Sequence, residues 1–215
     1  MKKHFFLFVV LVLLAIALIV GYLKWLSFSQ TPYEWTREGD VYTNAHYGLQ
    51  ITKKDGWLRS VEGPSLESRF FLSRLFDNPS PLLFSKRNLM EFHEIGGSQR
   101  PDAVIVMGPV DDLKGKYYGR SPRDYARATL GSMAATKMRL NKAEFSMTDI
   151  NGTPCAMVRS AIEIRELGEI ENEYYFLISG VKGFNIVYSA VPSKFGQHLD
   201  EAREIVRSIH FLRKQ

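Results

Sequence analysis

The sequence predicts an α+β protein: an N-terminal transmembrane helix, followed by one domain whose mainly antiparallel sheet is covered by helices on both faces. Residues 5–23 carry no charge and form one apolar run. Several later strand-like segments are apolar on both faces, as in a sheet that is buried on both sides. Tight turns separate them, and strands joined in this way must be antiparallel. The chain therefore divides into a cytoplasmic tip with the membrane helix (1–24), a linker (25–40) and an extracytoplasmic domain (41–215).

The apolar run has the length of a membrane-spanning helix. A helix over residues 5–23 would rise about 28 Å, close to the ~30 Å of the hydrocarbon core. The alternative is a cleaved signal peptide, whose apolar region is usually only about 7–15 residues long and ends at small residues. Here Ala15 and Ala17 lie inside the run. We therefore expect an uncleaved anchor that holds the protein in the membrane.

Charges at the two ends of the run predict its orientation. Lys2 and Lys3 precede it, whereas Lys24 behind it is soon followed by acidic residues. Because positive charge stays on the cytoplasmic side, the N-terminus is expected in the cytoplasm and the C-terminal domain outside it. The predicted location is the inner (plasma) membrane, crossed once, with a periplasmic or extracellular domain.

The domain itself is almost neutral. The chain has 28 Lys and Arg against 23 Asp and Glu, a net charge of +5. Setting aside Lys2, Lys3 and Lys24 leaves 25 basic residues against the 23 acidic ones, a net charge of +2. Nucleic-acid binding needs concentrated basic charge, so no nucleic-acid partner is predicted. Cys155 has no second cysteine to pair with, and its strand-like surroundings predict a buried, unreactive side chain.

The first predicted elements of the domain are short strands. Residues 41–53 alternate apolar and polar side chains and predict two short strands, followed by a turn and Trp57. Residues 62–100 are rich in turn and loop signals and form the least regular part, with one further strand predicted at 82–86. The run Ala103–Met107 is apolar throughout and predicts a buried strand.

Two helices are predicted in the domain. The first begins at Ser121, a preferred N-cap residue, with Pro122 at its first position, and is expected to run to about Leu140. The second follows Pro192, and its apolar residues recur at the spacing of one helix face, so it should pack against the sheet. The apolar positions are Phe195, Leu199, Ala202, Val206 and Ile209.

Four strands are predicted between the helices. Asn151-Gly152 is a strong hairpin signal and joins a strand at 144–150 to one at 154–165. The segments 170–179 and 184–191 follow and are connected by a glycine-rich turn. All four are expected to pair with their neighbours in the chain as one antiparallel sheet.

The order of these signals resembles that of the PsbP/DcrB-like superfamily, which includes bacterial envelope proteins, and the resemblance spans roughly residues 41–212. It implies an α/β/α sandwich around an antiparallel sheet, and binding or assembly roles rather than catalysis. The segments that carry the resemblance are Tyr47–Ile51 with Trp57, Pro81–Ser85, Asp102–Val106, Ser121–Tyr125, Ile150–Pro154 and Ala202–Phe211.

The sequence carries no contiguous metal-binding or catalytic motif. His93-Glu94 begins like the HExxH zinc motif, but Gly97 occupies the position of the second histidine, and the nearby glycines predict a solvated loop. The five histidines are far apart in the chain. Folding could bring some of them together, but the spacing does not show it; His198 and His210 are expected at surface or satisfied edge positions. No metal ion or cofactor is predicted.

The most suggestive polar segment is residues 114–127, where basic side chains and tyrosines lead into a helix N-terminus, which favours anions. It predicts contact with lipid headgroups, an acidic polymer or an acidic protein. The alternative is a solvated loop, in which three nearby aspartates balance the positive charge. The apolar segment 66–76 is a second candidate, which either packs onto the domain or contacts a partner or the membrane. The candidate contact residues in 114–127 are Lys116, Tyr117, Tyr118, Arg120 and Arg123.

Three functions are compatible with these observations. The one we favour is a membrane-tethered, non-enzymatic envelope protein that binds or helps to assemble another envelope component. A carrier of a small molecule or lipid would instead need an apolar cavity between sheet and helix, of about 300 Å³ or more. An enzyme would need a noncontiguous site that folding assembles.

Overall fold

The computed structural model describes residues 34–59, 89–94, 102–108, 110–114, 121–134, 140–164 and 168–212. The strands are β1 (Thr36–Glu38), β2 (Val41–Asn44), β3 (Leu49–Thr52), β4 (Trp57–Arg59), β5 (Met90–Glu94), β6 (Ala103–Met107), β7 (Asp111–Asp112), β8 (Leu140–Ile150), β9 (Thr153–Ile164), β10 (Gly168–Ser179), β11 (Lys182–Ala190) and β12 (His210–Phe211). The helices are α1 (Pro122–Ala134) and α2 (Pro192–Arg207).

Three predicted segments lie outside the described residues. They are the membrane anchor at 5–23, the apolar segment 66–76 and the strand at 82–86. Of the two described helices, neither is long and apolar enough to cross a membrane.

The large sheet has the order β4-β5-β6-β11-β10-β9-β8, with β7 paired to β11, and every pair is antiparallel. The predicted hairpin is confirmed: Asn151 and Gly152 have φ angles of 50° and 80°, the left-handed conformation that a two-residue turn requires. The mainly antiparallel sheet expected from the tight turns is therefore present.

A second, smaller sheet was not expected from the sequence. It has the order β1-β2-β3-β12 and is also antiparallel. The last strand, β12, returns after α2 and pairs with β3, so that His210 lies opposite Gln50. The two short strands predicted at 41–53 are thus β2 and β3, but they belong to this sheet and not to the large one.

The central strands β6 and β10 of the large sheet are buried on both faces, as predicted. On one face, Tyr174 and Phe176 of β10 pack with Tyr125 of α1. On the other, Tyr175 and Leu177 join a core that contains α2 and also the small sheet. Helix α1 covers one face. Helix α2 and the small sheet together cover the other.

Helix α1 begins as predicted, but it does not reach Leu140. The backbone N–H of Asp124 donates to Ser121 Oγ at 3.2 Å, and the backbone N–H of Ser121 donates to Asp124 Oδ2 at 3.3 Å, so each residue caps the other. The described helix ends at Ala134 and not at Leu140. Leu140 instead begins β8, where it pairs with Ile162, and this pairing competes with helix continuation.

Helix α2 is the element that positions the site described below. Phe195, Ala202 and Val206 are buried against the sheet, which confirms the predicted apolar face. Cys155 of β9 belongs to the same core and is fully buried, as predicted, and burial raises the pKa of its thiol to about 12. A thiol with so high a pKa is not a reactive nucleophile at neutral pH.

Candidate functional site

The predicted basic surface is described only in part. Lys116, Tyr117, Tyr118 and Arg120 lie outside the described residues. Arg123 lies in the first turn of α1 and is exposed. Within the described ranges, no carboxylate lies within ion-pair distance of Arg123.

The aspartates that could balance this surface have other bonding partners. Asp124 caps α1 through Ser121. Asp111 accepts a 2.6 Å hydrogen bond from the hydroxyl of Tyr125, which is fully buried and is therefore a core residue, not a contact residue. Asp112 accepts from the backbone N–H of Lys114 at 3.1 Å and from Lys182 Nζ at 3.3 Å, and these bonds lower the pKa of its carboxyl.

A buried ion pair joins α2 to the large sheet. Glu173 of β10 has no exposed surface, and its two carboxylate oxygens accept hydrogen bonds from Arg203 at 2.9 and 2.7 Å. The hydroxyl of Tyr175 donates to the same carboxylate. Burial would raise the pKa of Glu173, but the bonds from Arg203 and Tyr175 outweigh it, so the pKa lies below its usual value.

A second cluster, of two acidic side chains and one histidine, lies nearer the N-terminus of α2. Glu94 ends β5, Asp102 directly precedes β6, and His198 lies in the middle of α2. One potential ligand atom from each of the three residues lies within 4.8 Å of those from the other two. Three separate segments of the chain therefore bring two carboxylates and an imidazole together.

The polar atoms of this cluster are incompletely satisfied. His198 is only 6% exposed, yet its Nε2 has no hydrogen-bond partner within the described part of the chain. Glu94 Oε2 is likewise buried without a partner among those residues. Buried polar atoms are nearly always hydrogen-bonded, so two unsatisfied ones in the same cluster call for a physical reason.

Two neighbours border the cluster. Lys194, one turn before His198 on α2, places its Nζ 3.1 Å from Asp102 Oδ2. On the other side, the indole N–H of Trp57 donates to Glu201 Oε2 at 3.0 Å, and the same oxygen lies 3.9 Å from His198 Nδ1. The two ring nitrogens of His198 therefore have different surroundings: Nδ1 has a carboxylate nearby, and Nε2 accepts or donates no hydrogen bond among the described residues.

Two expectations about histidines are wrong. His93 and Glu94 do not lie in a solvated loop: both belong to β5, and His93 Nδ1 lies 3.4 Å from the buried Glu91. His198 is buried, and its Nε2 has no hydrogen bond to any residue that the structure describes. A signal for His198 was present in the sequence, because it follows Phe195 by three residues and precedes Ala202 by four, which is the spacing of the buried face.

His210 agrees with its expectation and is exposed. Its Nε2 lies 3.3 Å from the side-chain nitrogen of Asn151, next to the hairpin turn. Among the histidines that the structure describes, only His198 joins the three-residue cluster.

No family model matches the sequence, and no curated protein matches it. The solution structure of cyanobacterial PsbP (CyanoP) from Synechocystis sp. PCC 6803 is similar over 82% of this chain and 97% of that one, with a TM-score of 0.51 and 12% identity. This similarity supports a PsbP-like fold, as the resemblance in sequence predicted, and at that identity it concerns the fold alone.

Two further structures are similar at lower scores. PA94 from Pseudomonas aeruginosa aligns over 58% of this chain and 83% of its own, with 15% identity and a TM-score of 0.45. LpqN of Mycobacterium tuberculosis, described as involved in cell envelope biogenesis, aligns over 75% and 81%, with 11% identity and a TM-score of 0.43.

Proposed function

We propose that this protein is a membrane-tethered, non-enzymatic envelope protein whose exported domain binds another envelope component or helps to assemble it. The observation that carries the proposal is the uncharged run at 5–23 ahead of a domain with a PsbP-like fold. A single anchor of this kind concentrates a binding domain at the membrane surface. The sequence carries no contiguous catalytic motif, and the non-enzymatic part of the proposal rests on that.

The surface we assign to the partner is the start of α1 with the basic segment before it. Arg123 is exposed there, and the aspartates around it are bonded to Ser121, Tyr125 and Lys182. Positive side chains at a helix N-terminus attract negative charge, since the helix dipole and the free N–H groups act in the same direction. The partner is therefore an envelope protein with an acidic docking surface.

In-cell crosslinking of the tagged full chain tests the partner surface. The wild-type protein should recover one specific envelope protein. A triple variant, Lys116→Glu with Arg120→Glu and Arg123→Glu, should lose it, because charge reversal on one partner repels an acidic surface. Arg207→Glu is the matched control, since Arg207 is exposed on α2, on the other side of the large sheet. Recovery of abundant bystanders only, or equal loss in the control, would contradict the proposal.

A topology reporter tests the anchor separately. Alkaline phosphatase fused after Gln215 should be active in cells, because its disulfides form only outside the cytoplasm. Replacing residues 5–23 by a polar linker should abolish this activity and release the fusion from the membrane fraction. An inactive fusion in the wild-type chain would place the domain in the cytoplasm and refute the orientation.

A further inference from the structure

The cluster of Glu94, Asp102 and His198 carries an inference that does not depend on the partner or on the anchor. Three residues that can ligate a metal converge from β5, the start of β6 and α2, and their ligand atoms lie within 4.8 Å of one another. Two ligands on opposite sides of an ion, each ~2.1 Å from it, are about 4.2 Å apart. Small side-chain rotations would therefore bring all three residues onto one ion.

The unsatisfied atoms point to a ligand in the cluster. His198 is 94% buried, given its 6% exposure, and its Nε2 has no hydrogen-bond partner in the described part of the chain. A buried imidazole nitrogen without a partner costs free energy unless something binds it. Glu94 Oε2 is also buried without a hydrogen-bond partner among the described residues. An ion bound by both atoms would satisfy the two at once.

A carboxylate also lies near the other ring nitrogen of His198, just beyond hydrogen-bond distance. Its Nδ1 lies 3.9 Å from Glu201 Oε2, which the indole of Trp57 holds in place with a 3.0 Å hydrogen bond. In metal sites, a carboxylate on the far side of the imidazole fixes the ring orientation and makes the ligating nitrogen more basic. Glu201 and Trp57 would act as positioning residues in this way.

We propose that Glu94, Asp102 and His198 bind one divalent transition-metal ion. Two carboxylate oxygens and one imidazole nitrogen suit Zn²⁺ or Mn²⁺ better than Ca²⁺, which prefers oxygen ligands alone. The ion joins α2 to the strands β5 and β6. Lys194, whose side chain is 37% exposed, leaves Asp102 when the ion enters.

Zn²⁺ alone is the probe for the test. The full chain in detergent micelles, stripped of metal, should bind one Zn²⁺ per molecule in isothermal titration calorimetry. His198→Gln should abolish binding, and the near-isosteric Glu94→Gln and Asp102→Asn should each weaken it at least about tenfold. His46→Gln is the control, since His46 is exposed and lies outside the cluster. Circular dichroism checks that every variant is folded.

A gain-of-affinity variant keeps the test independent of folding defects. Lys194→Met removes the cation that competes for Asp102, so it should strengthen Zn²⁺ binding, on the order of tenfold. A hundredfold excess of Zn²⁺ over its Kd should raise the Tm by about 5 °C or more in the wild type and leave His198→Gln unchanged. Zn²⁺ binding that Glu94→Gln and Asp102→Asn retain in full, or that Lys194→Met weakens, would overturn the proposal.

Discussion

Helix α2 faces the large sheet with two charged clusters that differ in how completely their buried polar atoms are hydrogen-bonded. Toward its C-terminal end, Arg203 donates two hydrogen bonds to Glu173, and both oxygens of that carboxylate are used. Toward its N-terminal end, His198 lies among Glu94 and Asp102, and its Nε2 has no hydrogen bond within the described residues. The same helix thus holds one completed cluster and one open cluster.

The difference indicates what each cluster can do. A buried charge is tolerated when its partner and its hydrogen bonds are supplied by the protein, as they are at Glu173. Such a pair fixes α2 on the sheet and leaves nothing for a ligand. At His198 the described residues supply the groups but leave Nε2 without a hydrogen bond, and this is the arrangement expected where a ligand completes the site.

The largest expected effect is on the completed cluster. Arg203→Ala leaves the fully buried Glu173 carboxylate without its counterion, and removing one partner of a buried pair typically costs about 3–5 kcal/mol. We expect a loss near 3 kcal/mol in the free energy of unfolding, because Arg203 itself is 30% exposed and water can partly replace it. Urea unfolding of the full chain in micelles, followed by tryptophan fluorescence, measures it.

The control for Arg203→Ala is Arg207→Ala, four residues further along the same helix. Arg207 is exposed, and among the described residues it has no ion-pair partner, so the loss should stay within about 0.5 kcal/mol. Equal losses in the two variants would show that the pair with Glu173 contributes no more than an exposed charge on the helix.

The pH dependence of stability tests the same pair. The pKa of Glu173 is below its usual value in the folded protein, so the folded state favours the ionised form more than the unfolded state does. The stability that this carboxylate contributes is therefore present at neutral pH and is lost as the pH falls through the usual glutamate range and below it. Unfolding curves from about pH 7 to about pH 3 should show the wild type and Glu173→Gln converging in acid. A constant difference would contradict the assignment.

Trp57→Phe tests the link between the open cluster and the sheet. Trp57 is fully buried and loses its hydrogen bond to Glu201 together with part of its volume, so we expect a loss of about 1–2 kcal/mol. Zn²⁺ affinity should also fall, by about tenfold, because Glu201 no longer has a fixed position beside His198.

The matched control for Trp57→Phe is Trp35→Phe. The indole of Trp35 donates to the backbone carbonyl of Leu89 at 2.9 Å, away from the cluster, so its loss should lower stability and leave Zn²⁺ affinity unchanged. If both variants weaken Zn²⁺ binding alike, the effect comes from general loosening of the fold and not from Glu201.

Much of the fold was predictable because it depends on local signals. Asn151-Gly152 specified a turn through its left-handed backbone, and the strands on either side followed from it. The spacing of Phe195, Ala202 and Val206 predicted which side of α2 is buried. The pairing of β12 with β3 was not predictable, because it joins residues 210–211 to 49–50 and no local pattern records so distant a pairing.

The open cluster was missed for the same reason. Glu94, Asp102 and His198 come from three segments, and their spacing in the chain matches no contiguous motif. The glycines that follow His93-Glu94 predict a loop, whereas pairing of His93 with Val104 keeps both residues in β5. The buried position of His198 could have been predicted from the helix spacing alone, but its carboxylate neighbours could not.

Glu94→Gln has the smallest expected effect on the free energy of unfolding. Whether this substitution stabilises or destabilises the protein distinguishes the two clusters. At Glu173, replacing the carboxylate by an amide removes the charge that pairs with Arg203 and one of the two oxygens that accept hydrogen bonds from it, so it should destabilise the protein. At Glu94, one oxygen is buried without a partner among the described residues and Asp102 lies close by, so the same substitution relieves an unsatisfied charge in the metal-free protein. We expect the free energy of unfolding to stay unchanged or to rise by up to about 1 kcal/mol in EDTA.

With saturating Zn²⁺ the Glu94→Gln variant should instead be less stable than the wild type, because the wild type then gains stability from the bound ion and the variant gains less. A Glu94→Gln variant that is destabilised in EDTA as strongly as Glu173→Gln would show that both clusters are completed ion pairs, and the distinction between them would be lost.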